Sequence, residues 1–364
     1  MHIEPTEKDV RVRFRVDGVL HEVMHSPKGI QNGLISRLKV MADLNIAEKR
    51  VPQDGRMSMR VNTKSLDLRV ATLPTVFGEK VVIRILDKSN AMLQLSDLGF
   101  QKESLASYQL SFKKPYGAIL VTGPTGSGKS TTLYATLNIV NDTAKNIITI
   151  EDPVEYRLAG VNQIQVNPKA GLTFASALRS ILRADPDVIL IGEIRDRETA
   201  MIAVESALTG HLVLSSLHTN DAPSAITRLT EMDVETFLVA SAIDCVVAQR
   251  LARKLCEKCR LPYEPDREEL IEAGYPESQL DEITELYRSG ACDYCARTGY
   301  RGRMGMYEVM PMTEELERMT VERASSETIR AVAIEQGMIT LRDDGLVKAR
   351  KGLTSIEEIA RVVK

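Results

Sequence analysis

Tryptophan is absent from this chain of 364 residues, and aromatic side chains make up only 4% of it. A protein that binds single-stranded nucleic acid needs rings on which bases can stack, so that class is disfavoured. Charge points the same way: 47 Lys and Arg against 50 Asp and Glu leave −3, with no basic excess to hold a polyanion. No apolar run approaches the length of a membrane span, and no signal-peptide pattern opens the chain. Cysteine is scarce too. Four of the five fall in two Cys-x-x-Cys pairs, which suits a reducing compartment and a metal better than disulfides, so a cytoplasmic setting is expected. The remainder, 43% apolar and 27% charged, is ordinary for a globular chain of two or three domains.

The most informative stretch is Gly123-Pro-Thr-Gly-Ser-Gly-Lys-Ser130, which fits G-x-x-x-x-G-K-[ST]. In such a loop the backbone N–H groups of Thr125, Gly126, Ser127, Gly128, Lys129, Ser130 and Thr131 wrap the phosphates of ATP or GTP. Lys129 would reach the β/γ phosphates, and the Ser130 hydroxyl would ligate Mg²⁺. The apolar run Ala118–Thr122 before the loop and the helical spacing from Thr131 to Val140 after it supply the required strand and helix.

Around this motif the pattern changes along the chain. Residues 9–24 alternate, with Val10, Val12, Phe14 and Val16 on one face and a turn at Asp17-Gly18. Helical spacing over 27–45 and strand-like runs at 56–61, 66–72 and 80–86 complete a small α+β (PAS-like) domain over 1–88, followed by a linker at 89–99. Over 100–255, short apolar runs at 147–150, 188–191 and 212–214 alternate with helical segments at 174–183 and 198–209, which predicts an α/β domain with a mostly parallel sheet. Residues 256–303 form a cysteine module. The chain is expected to be helical over 304–364, with Thr313, Ser325 or Ser326, and Thr354 as N-caps.

Phosphoryl transfer is mostly positioning and charge neutralisation, so carboxylates and cations are the residues to seek. Glu151-Asp-Pro-Val-Glu155 follows one apolar run directly, and Glu193 closes another, Val188–Gly192. Ligands of open parallel sheets sit beyond such strand ends. Gly192 stands where a metal-ligating Asp is usual in a Walker B strand, so Glu151 or Glu155 is expected to share the work of Glu193. His211 and His218 bracket the run 212–216 and read as γ-phosphate sensors, or as structural hydrogen-bonding residues. Arg179 and Arg183, four apart, share a helical face and are candidate catalytic cations or a solvated surface. Cys256, Cys259, Cys292 and Cys295 match a closed tetrahedral Zn²⁺ shell with a structural role, an iron–sulfur cluster or redox dithiol being the alternative. Cys245 lies outside the pattern and reads as a small buried hydrophobe.

Taken together in order, the glycine loop, Glu151–Glu155, Ile191-Gly-Glu-Ile-Arg-Asp196 and Leu208-Thr-Gly-His-Leu212 with Leu217-His-Thr219 resemble the Walker A, Asp-box, Walker B and His-box motifs of the type II secretion / type IV pilus assembly ATPase family. His2-Ile-Glu-Pro5 and Ala47–Gly55 resemble that family's N-terminal subdomain, so the likeness covers nearly the whole chain. The ending Leu341-Arg-Asp-Asp-Gly345 with Gly352–Glu358 looks most like the type II secretion branch. Pilus extension ATPases stand close, whereas retraction ATPases generally lack the cysteine module. The resemblance implies a RecA-like motor domain in a homo-hexamer, with ATP at subunit interfaces and arginines from the N-terminal subdomain at Arg69 and Arg84. It implies that Glu151 polarises the attacking water, that Glu193 holds Mg²⁺, and that the four cysteines hold Zn²⁺. It further implies a cytoplasmic motor, peripheral at the inner membrane, working with platform proteins of a secretion system. Family members carry a further domain before the point where this chain begins, so a truncated chain or short homologue is expected. Two competing readings are a RecA-like nucleic-acid translocase and a nucleotide-gated scaffold with little turnover.

Overall fold

In the N-terminal part of the chain, alternation builds a sheet with one wet face. The computed structural model describes residues 1–61, 64–86 and 93–363, and divides the chain into two compact units, 1–90 and 91–364. The first unit contains β1 (His2–Pro5), β2 (Asp9–Val16), β3 (Val19–Pro27), α1 (Gln31–Met41), β4 (Gln53–Val61), β5 (Lys64–Thr75) and β6 (Gly78–Leu86). All pairings are antiparallel, in the order β3-β2-β1-β6-β5-β4. Asp17 and Gly18 both take positive φ, as a two-residue hairpin turn between right-twisted strands requires. Ile3, Val10, Val12, Leu68, Val70, Val81 and Ile83 form one buried face, packed with Ile35 of α1. Phe14 and Val16 do not join Val10 and Val12. The β2–β3 register shifts between Val12 and Arg13, and beyond the shift they are 37% and 49% exposed. Residues 89–92 of the expected linker lie outside the described residues; Leu95–Leu98 form a short 3₁₀ turn.

The second unit runs α2 (Lys102–Phe112), β7 (Gly117–Thr122), α3 (Lys129–Val140), β8 (Ile147–Glu151), β9 (Asn162–Gln165), α4 (Phe174–Ile181), β10 (Val188–Ile191), α5 (Arg197–Leu208), β11 (Leu212–Leu217), α6 (Pro223–Glu231), α7 (Thr236–Ala242) and β12 (Ile243–Leu255). It continues with β13 (Leu261–Tyr263), α8 (Arg267–Ala273), β14 (Leu286–Arg288), β15 (Tyr300–Pro311), α9 (Glu314–Val321), α10 (Ser326–Glu335), α11 (Leu341–Arg350) and α12 (Ile356–Val362). Its seven-stranded sheet has the order β15-β12-β7-β11-β10-β8-β9, parallel throughout except for β15 against β12. Helices cover both faces, so β7, β8, β10 and β11 are buried at every residue.

Three expectations are corrected. Residues 304–311, expected to be helical, belong instead to the strand β15: glycines at 302 and 305 disfavour a helix, and the strand pairs with β12 over nearly its whole length. Ser355, not Thr354, caps α12, because the Thr354 hydroxyl donates instead to the Arg253 carbonyl at 2.9 Å. Helix α4 ends at Ile181, leaving Arg183 in the following turn rather than on the helical face of Arg179. Among the described residues no helix is long and apolar enough to cross a membrane.

Candidate active site and metal centre

Every strand end that carries a candidate residue for phosphate chemistry belongs to the parallel core of the sheet. The loop between β7 and α3 turns on Gly126 and Gly128, whose φ values of 81° and 92° suit glycine, and a Cβ at Gly126 would meet nothing within 4 Å. The loop then feeds α3, whose first-turn N–H groups have no partner within the helix and favour an anion. This arrangement fits a triphosphate. Lys129 folds back to donate to the carbonyls of Gly123 at 2.8 Å and Pro124 at 3.1 Å. Burial lowers its pKa; Glu193 opposes that shift and Arg250 adds to it.

His218, just past β11, connects the cation to a carboxylate. Its Nδ1 lies 3.5 Å from Lys129 Nζ and its Nε2 lies 3.1 Å from Glu193 Oε2. Glu193 Oε1 accepts from Arg195 at 2.5 Å. Burial alone would raise the Glu193 pKa, but the hydrogen bonds from Arg195 and His218 carry it below the usual carboxylate value.

Glu151 sits differently. It is 4% exposed, and Oε1 accepts from Thr149 at 2.6 Å and Gln163 at 3.1 Å while Oε2 accepts the Tyr134 hydroxyl. Both oxygens are therefore engaged within the protein. Glu155 is exposed beyond β8. His211 is not at this site: it precedes β11, at the opposite end of a six-residue strand from His218, where its Nδ1 meets the Ser206 carbonyl at 2.9 Å. A strand of that length spans about 20 Å, which removes His211 from the phosphate loop. Arg179 pairs with Glu198 and Arg183 reaches Ser180 Oγ at 3.5 Å. Both are exposed, and among the described residues neither bonds to Lys129, Glu193 or His218.

In the N-terminal unit Arg69 and Arg84 stand directly opposite one another on β5 and β6, and Arg56 on β4 stands opposite Arg69 from the other side. The three arginines thus lie in one cross-strand row of the sheet. The sequence reading missed Arg56, though its spacing within β4 places it on this face. It also missed Gln249. This buried side chain on β12 donates to the Ser127 carbonyl and accepts from the Thr132 hydroxyl, each at 2.7 Å. Nothing in the local sequence marks a lone glutamine in an apolar strand as a support for a loop 122 residues earlier.

The four paired cysteines do converge. Sγ–Sγ separations are 3.8 Å for Cys256–Cys292 and Cys259–Cys295 and 3.7 Å for Cys292–Cys295, and all four sulfurs lie within 4.8 Å of one another. Four sulfurs about 2.3 Å from a tetrahedral centre would be about 3.8 Å apart, so the set fits a bound metal ion. Cys245 stays apart and fully buried, its thiol pushed up to about 12 by desolvation.

Comparison with known proteins agrees with this geometry. Type IV pilus assembly ATPase PilB of Myxococcus xanthus is 51% identical over 361 residues, covering 99% of this chain and 64% of that protein. Type II secretion system ATPase E of Vibrio cholerae is 49% identical over 364 residues, covering 100% of this chain and 72% of the relative. The chain thus spans less than two thirds of the Myxococcus protein. Among solved structures, the pilus retraction motor PilT with bound ADP superposes with a TM-score of 0.64 at 25% identity, over 99% of this chain and 91% of that one. A family model described as type II/IV secretion system protein matches residues 1–361, and with glycine loop, strand-end carboxylates and four converging cysteines all inside that span, the chain belongs to the type II/IV secretion system protein family.

Proposed function

We propose that this chain is the ATP-hydrolysing core of a homo-hexameric motor that powers type II protein secretion by assembling a pseudopilus at the inner membrane. The observation that carries the reading is the linked set Lys129, His218 and Glu193, at 3.5 Å and 3.1 Å, beside the phosphate loop. Lys129 would exchange its two carbonyl contacts for the β and γ phosphates. His218 would sense the γ-phosphate and pass its presence to Glu193. Mg²⁺, held by Ser130 and by Glu193 directly or through water, would neutralise charge developing on the transferred phosphoryl group. Glu193 is favoured over Glu151 as the carboxylate that acts on water, because it faces His218, which in turn faces Lys129, whereas Glu151 is buried among Tyr134, Thr149 and Gln163. Arg69 and Arg84 would complete a neighbouring protomer's site, a contribution that arginine fingers make at about 10³ to 10⁵-fold in rate. Zn²⁺ is the ion we assign to the four cysteines, as a structural clamp without a free coordination position. The working location is the cytoplasmic side of the inner membrane, reached through platform proteins, with no role for nucleic acid. Type IV pilus extension is the second reading, favoured by the slightly higher identity to the Myxococcus protein.

The test is ATPase activity across protein concentration. Activity per subunit should rise with concentration and vanish in Lys129→Ala, while Arg69→Ala and Arg84→Ala should fall steeply at every concentration. Full turnover by isolated monomers, with both arginines dispensable, would reject the shared-site motor. Stimulation by added DNA would favour the translocase.

A further inference from the structure

The segment that follows His218 is tied down residue by residue, each time to a different element. Thr219 meets Thr122 at the end of β7, the two hydroxyls 2.7 Å apart and the Thr219 N–H donating to the same oxygen at 2.8 Å. Asn220 accepts from Arg250 of β12 at its backbone carbonyl, 3.1 Å, and at Oδ1, 3.0 Å. Asp221 pairs with Arg330 of α10 at 2.6 Å. The Ala222 N–H donates to the buried Glu308 of β15 at 2.8 Å. Three of these ties are to strands of the sheet. The Asp221–Arg330 pair is the exception, because it runs to the C-terminal helices.

The pair is oriented. Asp221 Oδ1 accepts from the Ser224 N–H at 2.8 Å, at the start of α6, which leaves Oδ2 facing the guanidinium. Side-chain exposures of 38% for Arg330 and 16% for Asp221 make this a partly solvated ion pair, a kind that contributes little to global stability. Its position gives it a different importance. Asp221 is three residues from His218, whose ring must lie between Lys129 and Glu193, and a shift of about 1 Å in a reacting group can cost on the order of 100-fold in rate.

We infer that Arg330 is a positioning residue for hydrolysis: through Asp221 it holds the 218–222 segment so that His218 bridges Lys129 and Glu193, and so couples the C-terminal helices to turnover. The inference rests on the proposed role of His218. A force or partner that tilts α10 would then change the rate without touching nucleotide.

The experiment is a double-mutant cycle in the full chain, with kcat for ATP hydrolysis, affinity for N-methylanthraniloyl-ATP, and thermal denaturation measured on each variant. Arg330→Ala should lower kcat about tenfold while analogue affinity stays within about twofold and Tm moves little. Arg330→Lys, which keeps the charge, should recover most of the rate. In a His218→Ala background, Arg330→Ala should cost nothing further, because both changes remove the same contribution. Equal losses in both backgrounds, or a wild-type kcat in folded Arg330→Ala, would overturn the inference and leave the role of His218 standing. A wild-type kcat in His218→Ala alone would overturn that role and the inference with it.

Discussion

Gln249 holds the phosphate loop from beneath: its Nε2 donates to the Ser127 carbonyl at 2.7 Å and its Oε1 accepts the Thr132 hydroxyl at 2.7 Å. One side chain, 1% exposed, thus fixes both the loop and the first turn of α3 to β12. The fit is close on the backbone side as well. A Cβ at Gly123 would come within 2.4 Å of the Gln249 carbonyl, so residue 123 must be glycine for reasons of space as well as conformation.

Gln249→Leu keeps the volume and removes both hydrogen bonds, leaving the Ser127 carbonyl and the Thr132 hydroxyl without their partner. Each unsatisfied buried group costs about 1–3 kcal/mol. Part of that should appear as a lower Tm, and part as weaker nucleotide binding, because the loop no longer has a fixed floor. We expect about a tenfold loss of affinity, equivalent to about 1.4 kcal/mol, in a titration with a fluorescent ATP analogue. Unchanged affinity in a folded variant would mean that the loop keeps its shape unaided.

The two strand-end glutamates should respond differently to amide substitution. Glu193→Gln removes the charge that faces His218 and should lower kcat by about 10²–10³-fold, with nucleotide affinity largely retained. Glu151→Gln changes a buried carboxylate that accepts from Tyr134, Thr149 and Gln163. An amide nitrogen cannot accept, so one of those bonds is lost and Tm should fall, with a smaller effect on kcat. Parallel kcat and Tm measurements decide the matter. If Glu151→Gln is the more damaging to turnover at intact stability, the assignment is reversed and Glu151 must release Tyr134 during the cycle.

How much of this was legible before the structure depended on whether the signal was local. The Gly123–Ser130 loop announces its strand and helix within a few residues, and Glu193 and His218 each sit one residue-step beyond an apolar run, so their convergence followed from parallel topology alone. His211 was a candidate only as the other histidine flanking the same run; because it precedes β11, the parallel topology that brings Glu193 and His218 together puts it at the far end of the strand. The β12–β15 hairpin escaped notice for a different reason. Its two strands are separated by the whole cysteine module, and a methionine-rich segment such as 304–312 suits a helix as readily as a strand. Gln249, Arg250 and Glu308 all lie on that hairpin, so the supports of the site went unseen along with it.

The cysteines sit at the far end of the same hairpin. Cys256 follows β12 directly, and Cys295 precedes β15 by a short turn. Metal removal should therefore loosen the strand that supports the phosphate loop. Purified protein should contain one zinc per chain by elemental analysis, and Cys292→Ser should lose it. With a closed four-sulfur shell the loss should appear first as a lower Tm, and as reduced ATPase activity only through weakened nucleotide binding. A Cys292→Ser protein that retains a full equivalent of zinc, or loses it with no change in Tm, would contradict a structural clamp.

Acid should act on the N-terminal unit through Glu4. This carboxylate is 7% exposed and receives Arg13 at 2.7 and 2.8 Å, Lys80 at 2.8 Å and Arg11 at 3.3 Å. The hydrogen bond from Arg13 is the main cause of its low pKa, about 2 instead of 4.5, with burial opposing and Lys80 assisting. A pKa that is lower in the folded chain than in the unfolded one means that the unfolded chain binds the proton more readily. The stabilisation is then complete above 4.5 and is lost as pH falls from there through about 2. Glu4→Gln leaves three cationic side chains facing a neutral amide, so it should lower stability near neutral pH. The gap between wild type and Glu4→Gln should close as the pH is taken down toward 2. Hydrogen exchange of peptides from β1 and β2, followed in both proteins across that range, measures the gap directly. A difference that stays constant with pH would show that Glu4 contributes through shape and not through charge.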